Sequence, residues 1–209
     1  MSGIRLFTTA YWPPVSQMMA MTEASFIEIE GAENFQKQSY RNRMKILSAN
    51  GVQSLSIPVA NEAPKMSIQE VKIDYKTNWQ QSHWRSLEAA YNTSPFFFYY
   101  KDMFHDFYFS KKHPFLFEYN MELLSLVFKI LSISPQRRIT EEYSPKTSEN
   151  TEDLRSAFHP KQISPLIFSN KLKPYPQVFD QKFGFTPDLS ILDVICNLGP
   201  EAKGITTQI

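Results

Sequence analysis

The first third of the chain alternates between strand-like and helix-like patterns. Residues 4–12, IRLFTTAYW, predict a first strand, which ends at the prolines that follow. Residues 15–24, VSQMMAMTEA, have a helical composition. Residues 26–31, FIEIEG, alternate apolar and acidic side chains as a half-buried strand does. The order strand, helix, strand favours a sheet that packs against helices.

A hairpin is predicted in the next segment. Residues 39–47, SYRNRMKIL, and residues 53–59, QSLSIPV, both read as strands and flank the dipeptide Asn50-Gly51. Asn-Gly between two apolar runs is a strong hairpin signal. At least part of the sheet is therefore expected to be antiparallel. Residues 71–75, VKIDY, are a further strand candidate.

From residue 78 the spacing of apolar residues becomes helical. Trp84, Leu87 and Tyr91 recur at intervals of three and four, which places them on one helical face. Asn78 is a candidate N-cap, and the Ser94-Pro95 step ends this helix. Further helices are expected over residues 96–109, 114–134 and 187–199.

The polar stretch from residue 135 to residue 161 reads as a loop or a partly ordered excursion between these helices. The complete pattern predicts one domain over residues 1–209. Its fold class is α/β, with a mixed, partly antiparallel sheet packed against helices and a helix-rich C-terminal half.

Composition narrows the class of protein. The 209 residues are 42% apolar, so the chain can bury a substantial core. The net charge of +1 argues against nucleic acid as a partner. The single cysteine, Cys196, rules out an internal disulfide, and no apolar stretch is long enough for a signal or a membrane span. A cytoplasmic protein is expected.

Glycine is scarce, which limits how the protein could hold a phosphate group. Only six glycines occur, they do not cluster, and neither a Walker loop nor a GxGxxG motif is present. A bound phosphate would have to be held by side chains. Neither a cofactor nor a metal is predicted, although Asp102, His105 and Asp106 have helical spacings that could ligate one.

Residues 37–45 hold four cations, and no Asp or Glu occurs from Asn34 to Asn61. If this segment is extended, Arg41, Arg43 and Lys45 share one face at spacings of about 6.6 Å. Their mutual repulsion is on the order of 1 kcal/mol for each close pair, which a bound anion would relieve. Arginine offers a planar fork to phosphate or carboxylate.

Instead of binding an anion, these cations could equally well form ion pairs with Glu28, Glu30 or Asp74 on neighbouring strands. We expect replacement of Arg41 or Arg43 by alanine to weaken anion binding with little loss of stability.

His83 is the candidate acid or base, because the unperturbed pKa of histidine lies near neutrality. The alternative is a structural histidine beside the core residue Trp84. Cys196 is expected to be a buried apolar residue, since nothing electropositive surrounds it in the sequence. Residues 173–179, KPYPQVF, either form a rigid pocket wall or simply connect to the last helix.

Several segments of the chain, taken in order, resemble those of a known protein family. YWPP at residues 11–14 is followed by the segments at 37–59 and 71–75, by HWRSLEAAYNTSPFFFYY at 83–100, and by LLSLVFKIL, YPQVF and DLSILDVICNLGPEA. Together they resemble the WbqC-like protein family of bacteria, over most of the chain apart from roughly residues 139–160. Where relatives often read Gln-Pro before the aromatic-x-Pro element, this chain has Thr9 and Ala10.

The resemblance implies a bacterial cytoplasmic protein, with some relatives encoded among genes for O-antigen and other surface polysaccharides. It also implies a transferase, including transfer of glycine to a sugar. His83 is carried over as the catalytic candidate. The residues carried over as substrate-binding are Lys37, Tyr40, Arg41, Asn42, Arg43, Arg85 and Tyr91.

Three functions follow as hypotheses. The first is a transferase that acts on an anionic, activated small-molecule substrate. The second is a non-catalytic module that binds an anionic metabolite or a protein. The third is a scaffold on which the cations are only a solvated face. None involves nucleic acid or an integral membrane segment, and formation of a homo-oligomer is left open.

Overall fold

The computed structural model describes residues 3–60, 63, 66–161 and 172–206. The strands are β1 (Ile4–Thr8), β2 (Phe26–Glu30), β3 (Arg43–Ser48), β4 (Gly51–Ser56), β5 (Arg137–Ile139) and β6 (Thr151–Asp153). The helices are α1 (Val15–Glu23), α2 (Trp79–Tyr91), α3 (Phe97–Phe109), α4 (Leu116–Ile130), α5 (Asp180–Phe183), α6 (Ile191–Leu198) and α7 (Ala202–Thr206). Short 3₁₀ helices lie at Ile68–Glu70 and Gly199–Glu201.

The main sheet is parallel, with the strand order β5-β2-β1-β6. β1 and β2 pair from Ile4 opposite Phe26 to Thr8 opposite Glu30, and α1 makes the crossover between them. Phe7, Ile27 and Ile29 are fully buried. The strand–helix–strand prediction is confirmed for this unit.

Residues 135–161, predicted as a loop or a partly ordered excursion, contain two short strands. This segment supplies β5 and β6, which are the two edge strands of the parallel sheet. Each strand has three residues, too few for an alternating pattern to be visible in the sequence. Leu154 and Phe158 are buried and fix the end of the segment to the core.

The hairpin forms a separate two-stranded sheet. β3 and β4 pair antiparallel, with Ser48 opposite Gly51 at the turn, as the Asn-Gly signal predicted. Residues 37–42 form turns rather than strand, and the φ angle of Gln38 is 58°. Arg41 therefore does not extend the row that Arg43 and Lys45 form along β3. The fold class, α/β with parallel and antiparallel parts, is confirmed.

Residues 71–75 are not a strand. They take part only in two isolated bridges, between Val59 and Ile73 and between Lys72 and Phe115. Val71 and Ile73 are nonetheless buried, which explains the strand-like composition.

The helices predicted from the aromatic and apolar patterns are present as α2, α3, α4 and α6. Asn78 occupies the N-cap position of α2 but makes no side-chain capping bond. Asp188 caps another element, because its carboxylate accepts a hydrogen bond of 2.9 Å from the main-chain N–H of Ser16 in α1. Gly199 ends α6 with a φ angle of 55°, and a Cβ there would lie 2.4 Å from the ring of Phe96. No other residue fits at this position without a shift.

Candidate anion-binding site

A cavity of about 620 Å³ opens at the carboxyl ends of the parallel strands. Its lining comes from the segments that follow three of these strands: residues 32–36 after β2, Tyr143 and Pro145 after β5, and the chain from Asp153 to Ser156 at β6. Ligands of open α/β sheets bind in the crevice at this edge, because the loops there converge. The topology of the sheet alone therefore makes this edge a candidate ligand site.

Arg41 lines this cavity and forms a buried ion pair with Glu33. Arg41 is 4% exposed and Glu33 is 5% exposed. Arg41 Nε donates to one carboxylate oxygen of Glu33 at 2.7 Å, and a second guanidinium nitrogen donates to the other oxygen. Burial raises the pKa of Glu33, and the bonds from Arg41 oppose this shift. The charge of Arg41 is therefore balanced within the protein.

Arg155, a second arginine of the cavity, is balanced in the same way. It donates to Glu30 at 2.9 Å and to Asp153 at 2.6 Å. The hydrogen bond from Arg155 lowers the pKa of Asp153, although partial burial opposes the shift. The ring of Tyr143 lies 5.0 Å from this guanidinium. The cavity wall is charged, but it carries no excess positive charge from these two arginines.

Excess positive charge is found beside the cavity, in a group that we call the basic cluster: Arg43, Lys45, His159 and Lys161. Burial lowers the pKa of His159, and the charges of Lys161, Arg41, Arg43 and Lys45 lower it further. Burial also lowers the pKa of Lys45, with Asp188 opposing the shift and Arg43 adding to it. Four positively charged side chains thus act on one imidazole.

The cations of the basic cluster contact neutral groups. Arg43 Nε donates to Ser56 Oγ at 3.1 Å, and Lys161 Nζ donates to the side-chain oxygen of Gln38. Lys45 Nζ lies 5.9 Å from the centre of the Tyr40 ring. Among the residues that the structure describes, none of these three cations forms an ion pair with a carboxylate. Arg43 and Lys45 are half-buried and have no bonded carboxylate, and such cations are suited to bind an anion.

His83 lies in a different place, at the end of a buried hydrogen-bonded chain. Its Nδ1 is 2.9 Å from the hydroxyl of Tyr11, which is 2.5 Å from that of Tyr108. The main-chain carbonyl of Ser56 is near the imidazole and favours its protonated form. Whether Tyr11 or Nδ1 donates depends on the tautomer of the ring. Trp12 Nε1 donates to Tyr108 at 3.2 Å and completes the chain.

Burial lowers the pKa of His83 to about 4, and the Ser56 carbonyl opposes this shift. We therefore expect the imidazole to stay neutral throughout the physiological range. A two-dimensional ¹H–¹³C NMR titration, with the His83 signal assigned by its loss in His83→Asn, should give a midpoint near pH 4. A midpoint above pH 6 would contradict the burial argument.

A cleft of about 430 Å³ adjoins His83. It lies between β4 and the first turns of α2, and it shares no lining residue with the cavity that contains Arg41. Arg43 of the basic cluster donates a hydrogen bond to Ser56, which lines the cleft, but Arg43 does not line the cavity that contains Arg41. His83 and Arg41 are thus not brought together directly, whereas His83 and Arg43 both neighbour Ser56.

The other residues predicted to bind substrate are dispersed. Tyr91 is 1% exposed, and its neighbours include Asp193 and Tyr175, whose charges raise its pKa further after burial. Arg85 is exposed on α2, and Lys37 is exposed in the turn before Arg41. Asn42 donates to the carbonyl of Ile57 at 2.8 Å. The side-chain oxygen of Asn42 is buried and has no hydrogen-bond partner among the described residues.

Tyr40 lies nearest to the basic cluster among the remaining predicted residues. Burial raises the pKa of its hydroxyl, and the charge of Asp188 raises it further. Tyr40 is 5% exposed, and its main-chain carbonyl accepts a hydrogen bond of 2.8 Å from Tyr11. Its ring therefore serves as a fixed apolar surface beneath Lys45.

Sequence reasoning missed His159 and Lys161, which complete the basic cluster. Both lie in the predicted loop, in the sequence FHPK at residues 158–161. The available signal was a histidine next to a lysine in a segment with a buried phenylalanine. Glu33 was also missed as the partner of Arg41, since the acids considered were Glu28, Glu30 and Asp74.

Metal ligation has no support in the described ranges, where no group of three or more His, Cys, Asp or Glu side chains is arranged to hold an ion. Asp102, His105 and Asp106 are exposed along α3. The ring of His105 instead contacts Trp84 and Phe109, at centroid distances of 5.1 and 4.6 Å.

The protein is of the α/β class, with a charged cavity at the carboxyl edge of its parallel sheet. Residues 9–159 match the WbqC-like protein family, and the chain belongs to that family. The match includes residues 139–159, which the resemblance described above had left out, and it ends before residues 175–179. It therefore contains Arg43, Lys45 and His159.

The chain is also similar to a mycobacterial protein. It is 27% identical over 190 residues to the uncharacterized protein Rv1507c of Mycobacterium tuberculosis. The alignment covers 80% of this chain and 81% of that protein. No solved structure matches the chain. Within the described part of the chain, no helix has the length and apolar character that crossing a membrane requires.

Proposed function

We propose that this protein is a transferase that binds an anionic, activated substrate at the basic cluster and the adjoining cavity. One observation carries the proposal: Arg43, Lys45 and Lys161 have no carboxylate partner among the described residues, although Arg43 and Lys45 are half-buried. A half-buried cation with no bonded carboxylate raises the energy of the empty protein, although Asp188 partly stabilises the charge of Lys45, and a bound phosphate or carboxylate lowers that energy. The resemblance suggests a role in making bacterial surface polysaccharides, with a sugar or an aminoacyl group such as glycine as the transferred unit.

The proposed chemistry is a substitution at the activated group. The bond between the transferred group and a phosphate oxygen breaks, and its electron pair stays on the phosphate. An acceptor hydroxyl or amine forms the new bond and loses its proton. Arg43 and Lys45 stabilise the charge that develops on the leaving phosphate. In this proposal His83 takes the acceptor's proton as the tautomer whose Nδ1–H donates to Tyr11, because that tautomer leaves a lone pair on Nε2.

The test is isothermal titration with a panel of nucleotide sugars and a non-hydrolysable glycyl-adenylate analogue. We expect at least one compound to bind. We also expect Arg43→Ala and Lys45→Ala each to weaken its binding about tenfold, the equivalent of about 1.4 kcal/mol. Lys129→Ala is the matched control, since Lys129 is exposed on α4 and should leave binding unchanged. If no anion of the panel binds, or if binding survives both substitutions, the proposal is wrong.

A second function is favoured by a specific observation, namely that Nδ1 of His83 is held in a buried hydrogen-bonded chain with Tyr11 and Tyr108 and that burial lowers the pKa of the ring to about 4. A ring held in this way favours a protein that binds an anionic metabolite without turning it over. Any compound that binds is therefore assayed for turnover with acceptor present. Turnover by the wild type that is lost in His83→Asn, with binding retained, supports the transferase. Binding without turnover in the wild type supports the second function.

A further inference from the structure

The cleft beside His83 has a composition unlike that of the basic cluster. Its lining includes five hydroxyl side chains, those of Ser54, Ser56, Thr77, Ser82 and Ser86, and the amides of Gln53 and Asn78. No side chain of the lining is charged at neutral pH, since the pKa of His83 is about 4. Hydroxyl and amide groups both donate and accept hydrogen bonds. The cleft is therefore suited to a neutral ligand with many hydroxyls and poorly suited to an ion.

Trp79 supplies an aromatic wall to the same cleft. It meets the ring of His83 edge to face at a centroid distance of 5.1 Å. Its indole N–H has no hydrogen-bond partner among the described residues. That nitrogen is itself buried, so Trp79 offers the cleft an apolar ring edge and not a donor. The volume of about 430 Å³ falls in the range of small-molecule sites.

The cleft and the basic cluster meet at a single position. Arg43 and Ser56 are opposite each other on β3 and β4, so their side chains lie on one face of the hairpin. Arg43 Nε donates to Ser56 Oγ at 3.1 Å. A ligand with an anionic end near Arg43 would therefore extend its neutral end past Ser56 into the cleft.

We infer that this cleft binds the uncharged, hydroxyl-rich part of the substrate, a sugar ring, while the basic cluster binds its phosphate. The inference rests on the proposed anion binding and adds the chemical class of the group attached to the anion. It assigns Ser54, Ser82 and Asn78 to recognition of ring hydroxyls, a role that sequence reasoning did not give them.

The experiment compares two kinds of phosphate monoester by isothermal titration. Methyl phosphate probes the basic cluster alone, whereas glucose 1-phosphate, galactose 1-phosphate and N-acetylglucosamine 1-phosphate add a sugar ring. We expect at least one sugar phosphate to bind tenfold or more tightly than methyl phosphate. Ser82→Tyr, which fills the cleft from an exposed position, should remove that advantage and leave the affinity for methyl phosphate unchanged.

Ala89→Tyr is the matched control, because Ala89 is exposed on the same helix and lies outside the cleft. It should bind both kinds of ester as the wild type does. Ser54→Tyr blocks the cleft from β4 and replaces Ser82→Tyr if that variant fails to fold. The inference is overturned if the sugar phosphates bind no better than methyl phosphate, or if their advantage survives a folded cleft-blocking variant.

The outcome for methyl phosphate separates this inference from the proposed function. If methyl phosphate binds and Arg43→Ala weakens it, while the sugar ring adds nothing, anion binding stands and the cleft assignment falls. If no phosphate ester of this set binds, the cleft assignment is wrong, and the proposed function is decided by the panel of nucleotide sugars and the adenylate analogue.

Discussion

Arg41→Ala is expected to lower the free energy of unfolding by about 3–5 kcal/mol. The arginine and its partner Glu33 are both buried, so its removal leaves a carboxylate in the interior with no countercharge from Arg41. Asn120 also donates to the main-chain oxygen of Arg41 at 2.7 Å, which anchors the same turn to α4. This reverses the small loss expected from the sequence. Chemical denaturation at pH 7, followed by circular dichroism, measures the change.

Two controls separate the ion pair from the loss of a long side chain. Arg85→Ala removes an exposed arginine and should change stability by no more than about 0.5 kcal/mol. The double variant Arg41→Met/Glu33→Leu removes both charges and should be clearly more stable than Arg41→Ala, because no charge is left unpaired. A loss below about 1 kcal/mol for Arg41→Ala would mean that Glu33 is solvated in the native protein.

The elements that the sequence predicted are those determined by local patterns. The Asn50-Gly51 turn fixes the hairpin through its two residues alone. α2 and α4 are long enough for apolar spacing to repeat. β5 and β6 have three residues each, and their position depends on pairing with β2 and β1 rather than on their own composition. Such strands are tertiary features that a local pattern does not contain.

The candidate site was predictable only where a local pattern in the sequence marks its residues. A run of cations without nearby acids identified Arg43 and Lys45 as anion-binding residues to be tested. Arg41 differs from them only in its tertiary partner, since the turn before β3 directs it to Glu33. His159 joins the cluster because the chain returns along β6 to the same edge of the sheet. Neither fact is visible in the spacing of residues 37–45.

Asp193→Ala should destabilise the protein by about 3 kcal/mol, because it removes the acceptor on which the segment before α5 depends. Asp193 lies on α6 and is 1% exposed. The hydroxyl of Tyr175 donates to its carboxylate at 2.7 Å, and the amide of Gln177 donates to the same oxygen at 3.1 Å. Without Asp193, these two buried donors lose that acceptor. Thermal and chemical denaturation measure the loss, and Asp193→Asn, which keeps an acceptor oxygen, should lose less.

The same carboxyl group should make stability depend on pH in a defined direction. Burial raises the pKa of Asp193 above its ordinary value of 3.8, although the bonds from Tyr175 and Gln177 oppose the shift. At pH values between the ordinary pKa and the raised pKa, the folded protein retains a proton on Asp193 that the unfolded chain has released. The free energy of unfolding therefore falls as pH rises through this interval. Asp193→Asn has no such contribution. The stability of the wild type relative to Asp193→Asn should therefore decline from pH 4 towards pH 7.

The lowered pKa of His83 acts in the opposite direction between about pH 4 and 6.5, because there the unfolded chain binds the extra proton. Both proteins contain His83, so its contribution cancels in the difference between wild type and Asp193→Asn. Denaturation curves for the two proteins at half-unit pH steps give that difference directly. A difference that stays constant, or that grows with pH, would mean that the hydrogen bonds from Tyr175 and Gln177 outweigh burial and hold Asp193 ionised from the start.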